Sequence, residues 1–152
     1  MTNYKTLSYA KNNNFVQKWR VMNIEEFREF CLSLPDSSEK MPFQAFRAAQ
    51  SILAFYVGGK IFCFFDIDKF DVCTVKCDPD KIDELKAEYR AVSAPYNMNS
   101  KHWISIRFNE DMPDKEVKYW TKNSYEIILK IYENTKKKRL KHSKGEHSAL
   151  TG

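Results

Sequence analysis

The spacing of apolar residues changes period several times along the chain, and those changes divide it into elements. Ser51-Ile52-Leu53-Ala54-Phe55-Tyr56-Val57 and Lys60-Ile61-Phe62-Cys63-Phe64-Phe65-Asp66 are dense in β-branched and aromatic residues and flank Gly58-Gly59. Such segments suit a pleated, half-buried surface. Two adjacent glycines can both take φ > 0, as a tight type I′ turn requires. A hairpin is therefore the centre of the predicted fold. After a turn at Asp68-Lys69-Phe70-Asp71, the run Val72-Cys73-Thr74-Val75-Lys76-Cys77 alternates. It predicts a third strand with Cys73, Val75 and Cys77 inward and Thr74 and Lys76 on a wet face.

Elsewhere the period is helical. Ile24, Phe27, Phe30, Cys31 and Leu34 follow Asn23-Ile24-Glu25-Glu26, a capping-box pattern, and Pro35-Asp36-Ser37-Ser38 closes that helix. Residues 39–50 read as a loop. Asp78-Pro79-Asp80 is a helix start, with Ile82, Leu85 and Tyr89 as the buried stripe. Ala94 to Lys101 reads as a loop or short edge strand, since Pro95 has no N–H to give a central ladder. His102 to Phe108 alternates as a further strand. Pro113 opens the last helix, whose sheet side is Val117, Trp120, Ser124, Ile127, Ile128 and Ile131. From Thr135 a block of like charges predicts fraying. The expected order is α-β-β-β-α-β-β-α, a two-layer α+β domain of antiparallel sheet and helices. That domain occupies 22–133, between a polar extension over 1–21 and a basic, disordered tail over 134–152. Within the extension, Phe15, Val16, Trp19 and Val21 supply one short amphipathic turn.

Composition supports a self-sufficient core: 43% of the 152 residues are hydrophobic and 14% aromatic, so neither disulfides nor metals are needed as staples. No stretch approaches the ~20 apolar residues of a membrane helix. The first residues carry Lys5, Lys11, Lys18 and Arg20 but no apolar signal-peptide core. Cys31, Cys63, Cys73 and Cys77 lie inside hydrophobic segments and read as small apolar residues in a reduced setting. A cytoplasmic monomer with no membrane partner is the expectation.

The net charge of +5 is unevenly placed. Residues 1–22 hold four basic residues and no acids, residues 23–133 hold 15 basic and 19 acidic, and residues 134–152 hold six basic and Glu146. Basicity sits at the two ends, whereas a groove reader usually carries it on the folded face that docks.

The chain offers little for catalysis. Its four glycines are 58, 59, 145 and 152, and none opens a phosphate-cradling loop. Cys73 and Cys77 lie roughly 13 Å apart on an extended strand, too far to share a zinc ion bound at ~2.3 Å. His102 is the only histidine outside the tail, a thin basis for a Cys–His dyad. Asp66, Asp68 and Asp71 can hold a weak divalent ion, but turn aspartates do the same job for backbone N–H groups. No cofactor and no metal are expected. The richest stretch is Tyr96-Asn97-Met98-Asn99-Ser100-Lys101-His102-Trp103. Amides can bond base edges, Lys can meet phosphate, and Tyr and Trp can stack. The structural alternative has Asn99 closing a turn, Trp103 in the core and His102 bonded to backbone.

At this point the sequence resembles the MmcQ/YjbR-like family. The resemblance is carried by Met22-Asn23-Ile24-Glu25-Glu26-Phe27-Arg28, Val57-Gly58-Gly59-Lys60-Ile61-Phe62, Lys76-Cys77-Asp78-Pro79-Asp80, Tyr96 to Trp103, and Ser124-Tyr125. It spans about residues 22–132 and leaves 1–21 outside. It implies a fold similar to the secretion-chaperone architecture and a "double wing" DNA-binding role, the latter by fold analogy. The expected function is a non-enzymatic DNA-binding protein of weak sequence specificity. Candidate contacts are Lys76, Tyr96, Asn99, Lys101 and His102, with Lys136, Lys137, Lys138, Arg139 and Lys141 of the tail adding phosphate contacts. The alternative is a protein- or small-ligand-binding module using the sheet face or the Tyr96–Trp103 loop.

Overall fold

Each predicted punctuation mark meets a backbone group. In the computed structural model, which describes residues 21–150, the Asn23 side chain accepts the Glu26 N–H at 2.9 Å and starts α1 (Ile24–Ser33). Asp78 accepts the Asp80 N–H at 3.0 Å and, with Pro79 in the first turn, starts α2 (Pro79–Glu88). Gly58 and Gly59 both have positive φ, 59° and 76°, and join β2 (Ile52–Val57) to β3 (Lys60–Asp66). The third predicted strand is β4 (Val72–Lys76).

With β1 (Ser38–Lys40), β5 (Val92–Ser93) and β6 (Trp103–Arg107), these strands form a six-stranded antiparallel sheet in the order β1-β2-β3-β4-β6-β5. The fold is α+β, as expected, with one strand more. β1 lies where a loop was expected over 39–50, and a 3-10 turn follows at Arg47–Ala49. Neither element shows periodicity, because β1 is three residues long and mostly exposed; pairing of Glu39 with Phe55 defines it. The short edge strand also falls at Val92–Ser93, upstream of the stretch around Pro95.

The register assigns every strand residue to a face. Leu53, Phe65, Cys73, Ile106 and Val92 form one row across the covered face, and Phe55, Cys63, Val75 and Ile104 form the next. α1 lays Phe27 and Cys31 on this side, with Phe27 edge-on to Phe65 and Phe108 at 5.7 and 4.9 Å. α2 adds Ile82 and Leu85 to the same core. The last helix, α3 (Asp114–Leu150), adds Val117, Tyr125 and Ile128, together with buried Thr121 and Ser124. Trp120, Ile127 and Ile131, expected at its sheet side, are half-buried, and Trp120 packs against the core.

α3 also corrects the expected tail. It does not fray at Thr135 but continues as one 37-residue helix to Leu150. Lys, Arg and Leu are good helix formers, and that propensity outweighs repulsion between solvated like charges. Residues 133–145 are all exposed, so this part of the helix stands clear of the domain. The expected extension at 1–21 lies outside the described residues, apart from exposed Val21. Met22 is buried, and its N–H donates to Asn109 Oδ1 at 2.7 Å.

Candidate nucleic-acid interface

A bulge in the central hairpin builds one end of the sheet. Between Phe55 and Tyr56 the register shifts, so that Phe62 is an extra residue on β3. Extra residues in a ladder turn their side chains and leave backbone groups unpaired. Phe62 points to the helix side, edge-on to Tyr125 at 5.4 Å. The gap in the ladder is filled by α3: Ser124 Oγ donates to the Phe62 carbonyl and accepts the Lys76 N–H at 2.8 Å. Tyr125 Oη donates to the Pro35 carbonyl at 2.6 Å. Two turns further on, Tyr132 lies so close to Gly58 that any Cβ there would clash with its side chain. Three successive contacts thus fix where the helix crosses, and it leaves past the hairpin turn.

Lys76 is held beside β6 by its pairing with Trp103, and its Nζ sits 5.6 Å from the indole centroid. Trp103 is half-buried on the face away from the helices, so the core position considered for it is not the one it takes. The turn before β6 is closed as the structural alternative has it. Asn99 Oδ1 accepts the Lys101 N–H at 3.0 Å, and the Asn99 carbonyl accepts the N–H groups of His102 and Trp103. Its side-chain acceptor is therefore committed to the turn. The His102 carbonyl accepts the Cys77 N–H at 2.8 Å, while its imidazole is exposed. Lys101 is exposed beside it, and Tyr96 is 89% exposed in the same loop.

Lys136, Lys137, Lys138, Arg139 and Lys141, with Lys144, are exposed on the projecting part of α3. Twelve residues separate Ser124 from Lys136, about 18 Å of helix. The structure therefore gathers Lys76, Lys101 and His102 at the sheet end and carries the basic run outward from that end as a separate patch.

Acidic groups collect at the other end. Asp66, Asp68 and Asp71 belong to the β3–β4 turn, and Glu110 and Asp111 follow β6; the Phe108 N–H to Asp71 carbonyl bond ties the two turns together. Asp66, Asp71 and Asp111 serve the backbone. Asp66 Oδ1 accepts from Ser51 Oγ and from the Asp68 and Lys69 N–H groups; burial alone would raise its pKa, but these bonds outweigh that and lower it. Asp111 accepts the Arg90 and Ala91 N–H groups at 2.7 and 2.8 Å. Lys60, Lys76 and Lys101 lie at the opposite end, with Asp36, Asp78, Asp80, Glu126 and Glu133 as counter-charges.

The thiols are remote from all of this. All four are free and buried on the covered side. Burial pushes the Cys63 thiol well up, with neighbouring Cys31 and Cys73 adding to the effect, and burial beside Asp78 pushes Cys77 up to about 11.

The sequence named the sheet face as an alternative binding surface but did not show which residues line it on the side opposite the helices. Tyr56, Phe64 and Trp103 are half-buried there. Thr74 was expected to be wet, yet it is 5% exposed and shares a 3.1 Å hydrogen bond with Ser105. Both are short side chains, and the Phe64 and Trp103 rings approach to 6.5 Å around them. The alternation of Trp103, Ser105 and Arg107 against Ile104 and Ile106 was the signal for this face.

A family model described as YjbR matches residues 32–127. The chain is 21% identical over 120 residues to the uncharacterised protein YjbR of Escherichia coli strain K12, across 78% of this chain and 98% of that protein. Among solved structures it is similar to a Deinococcus radiodurans protein with a DUF419 domain: TM-score 0.65, 24% identity, 72% of this chain and 80% of that one. A Pseudomonas syringae protein gives a TM-score of 0.59 at 20% identity, over 70% of this chain and 99% of that one. At these identities the solved structures speak to the fold.

Proposed function

The chain belongs to the YjbR family, and from that footing we propose that it is a non-enzymatic DNA-binding protein that grips phosphates with little regard to sequence. The observation that carries the reading is the projecting half of α3. It holds Lys136, Lys137, Lys138, Arg139, Lys141 and Lys144 within nine residues, all exposed, on a helix rather than a loose tail. A helix is the element that fits a major groove, and phosphate neutralisation dominates DNA affinity.

The acidic balance of residues 23–133 counted against DNA so long as its placement was open. Five carboxylates lie at the end away from the basic helix, and exposed charges beyond a Debye length of about 10 Å are largely screened; Glu126 and Glu133, at the base of that helix, still oppose a polyanion. Lys60, Lys76 and Lys101 are the folded domain's contribution at the near end. Asn99 is unsuited to base readout through an oxygen already bonded to Lys101, which favours weak specificity. The placement of every thiol in the core favours binding over catalysis.

Fluorescence anisotropy with a labelled duplex of about 20 base pairs tests this. The full chain should bind at low salt, with log affinity falling linearly in log salt. Replacing Lys136, Lys137, Lys138 and Arg139 by Gln should weaken binding and make that slope shallower by up to about four. No binding at low salt, or a slope unchanged by the substitutions, overturns the reading.

A further inference from the structure

The basic helix accounts for phosphates but leaves the open face of the sheet unused. That face is built in three rows. Ile52, Asp66, Val72 and Arg107 lie at the acidic end; Lys40, Ala54, Phe64, Thr74, Ser105 and Ser93 cross the middle; Tyr56, Ile61, Lys76 and Trp103 lie at the basic end. We propose that this face stacks the bases of an unpaired nucleic-acid strand, with Phe64 and Trp103 as the platform and Lys40, Lys76 and Arg107 meeting its phosphates. The proposal rests on the nucleic-acid reading above and adds the strand class and a second site.

The argument is one of matching chemistry. An unpaired strand alternates flat apolar bases with anions, and the face alternates flat rings with cations. Lys40 Nζ stands 5.6 Å from the Tyr56 centroid and Lys76 Nζ 5.6 Å from that of Trp103. Each is a long flexible chain that can swing from ring to phosphate without leaving its position on the strand. The Phe64 and Trp103 rings are 6.5 Å apart and tilted by 49°, so they are not stacked on each other, and both are partly exposed. Thr74 and Ser105, 5% and 7% exposed, share a hydrogen bond beneath them, so this floor offers a base little to bond and hence little preference. Among the described strand residues, Asp66 is the one acid on this face, and its Oδ1 is taken up by Ser51 and two backbone N–H groups. A duplex cannot use such a platform, because its base faces are already stacked inside; it offers phosphates and groove edges.

The full chain is titrated at one salt concentration with labelled oligothymidine and with a duplex carrying the same number of phosphates. Oligothymidine should bind at least about fivefold more tightly than the duplex, the lower bound for one stacked base. Phe64→Leu, which keeps apolar volume, should remove that preference while leaving duplex affinity unchanged. Tryptophan emission should be quenched by oligothymidine, and Trp103→Phe, which keeps a ring and the fold, should abolish the quench. Equal affinities for the two forms, or a Phe64→Leu chain that loses both alike, overturns the proposal while the duplex salt slope still supports the basic helix. Failure of both ligands to bind at low salt removes both readings. Self-association relieved by Phe64→Leu, in place of strand binding, would assign the face to a second copy and overturn the proposal as well.

Discussion

The two faces of one sheet are built from the same strands and differ in what they ask of each residue. On the covered face, Phe55, Phe65, Cys73, Val75, Ile104 and Ile106 are each at most 1% exposed and packed under three helices. On the other, the large residues Tyr56, Phe64 and Trp103 stay half-exposed, and the small ones between them are buried. The first face spends its apolar area on stability; the second keeps ring faces and cations at a surface. The lesson is that burial alone does not mark the core, since Thr74 and Ser105 are as buried as Leu53 yet belong to the face without helices.

Several substitutions would break or sharpen that contrast. The largest difference is in thiol chemistry, where all four cysteines belong to the covered side. A thiol reagent at neutral pH should label none of them in the folded chain and all four in denaturant, since burial blocks access to all four and also suppresses the thiolates of Cys63 and Cys77. One rapidly labelled thiol in the native chain would show the core to be more open than its packing implies.

Next come the paired phenylalanines. Phe65→Ala, on the covered face, should cost about 3–5 kcal/mol in denaturant unfolding, whereas Phe64→Ala, one residue away, should cost roughly half as much or less. Equal costs would mean that the second face is a core in its own right.

The hairpin glycines separate strain from clash. Gly58→Ala must meet both a positive φ and the Tyr132 ring and should cost more than 2 kcal/mol, while Gly59→Ala meets positive φ with open space around it and should cost about 1 kcal/mol. The reverse order would mean that α3 does not press on the turn.

At the acidic end, Asp66 has a folded pKa below its ordinary value, so its contribution is present above the unfolded value of about 3.9 and is lost as pH falls through the folded one. Asp66→Asn should therefore be less stable than the parent at pH 7, with the gap closing below about pH 4. A gap independent of pH would show the ionised form not to matter.

The smallest effect is the hydroxyl pair. Thr74→Val or Ser105→Ala alone strands one buried partner and should cost about 1 kcal/mol, and the double variant should recover most of it. Strict additivity would mean that the two hydroxyls do not depend on each other.

Much of this was legible from local pattern. The Asn23 and Asp78 caps, the double-glycine turn, the β4 alternation and the apolar stripes of the helices are each decided within a few residues, where backbone sterics and hydrogen-bond supply act. The family resemblance rested largely on the same kind of residue: Gly58, Asn99, Ser124 and Tyr125 hold backbone in place, which is why they identify the fold more firmly than they identify a site.

Sequence alone determined the three helices, the central hairpin, β4 and β6, the antiparallel α+β class and the concentration of basic charge near the end of the chain. Tertiary structure decided the rest. It set the short edge strand β1, which exists by pairing with β2, and the bulge at Phe62 that Ser124 completes from 62 residues away. It also decided which side of the alternating strands the helices cover. A period of two tells two faces apart but carries no information on which one is roofed. Only distant segments arriving on one side make that choice, and it left Trp103 and Lys76 facing outward.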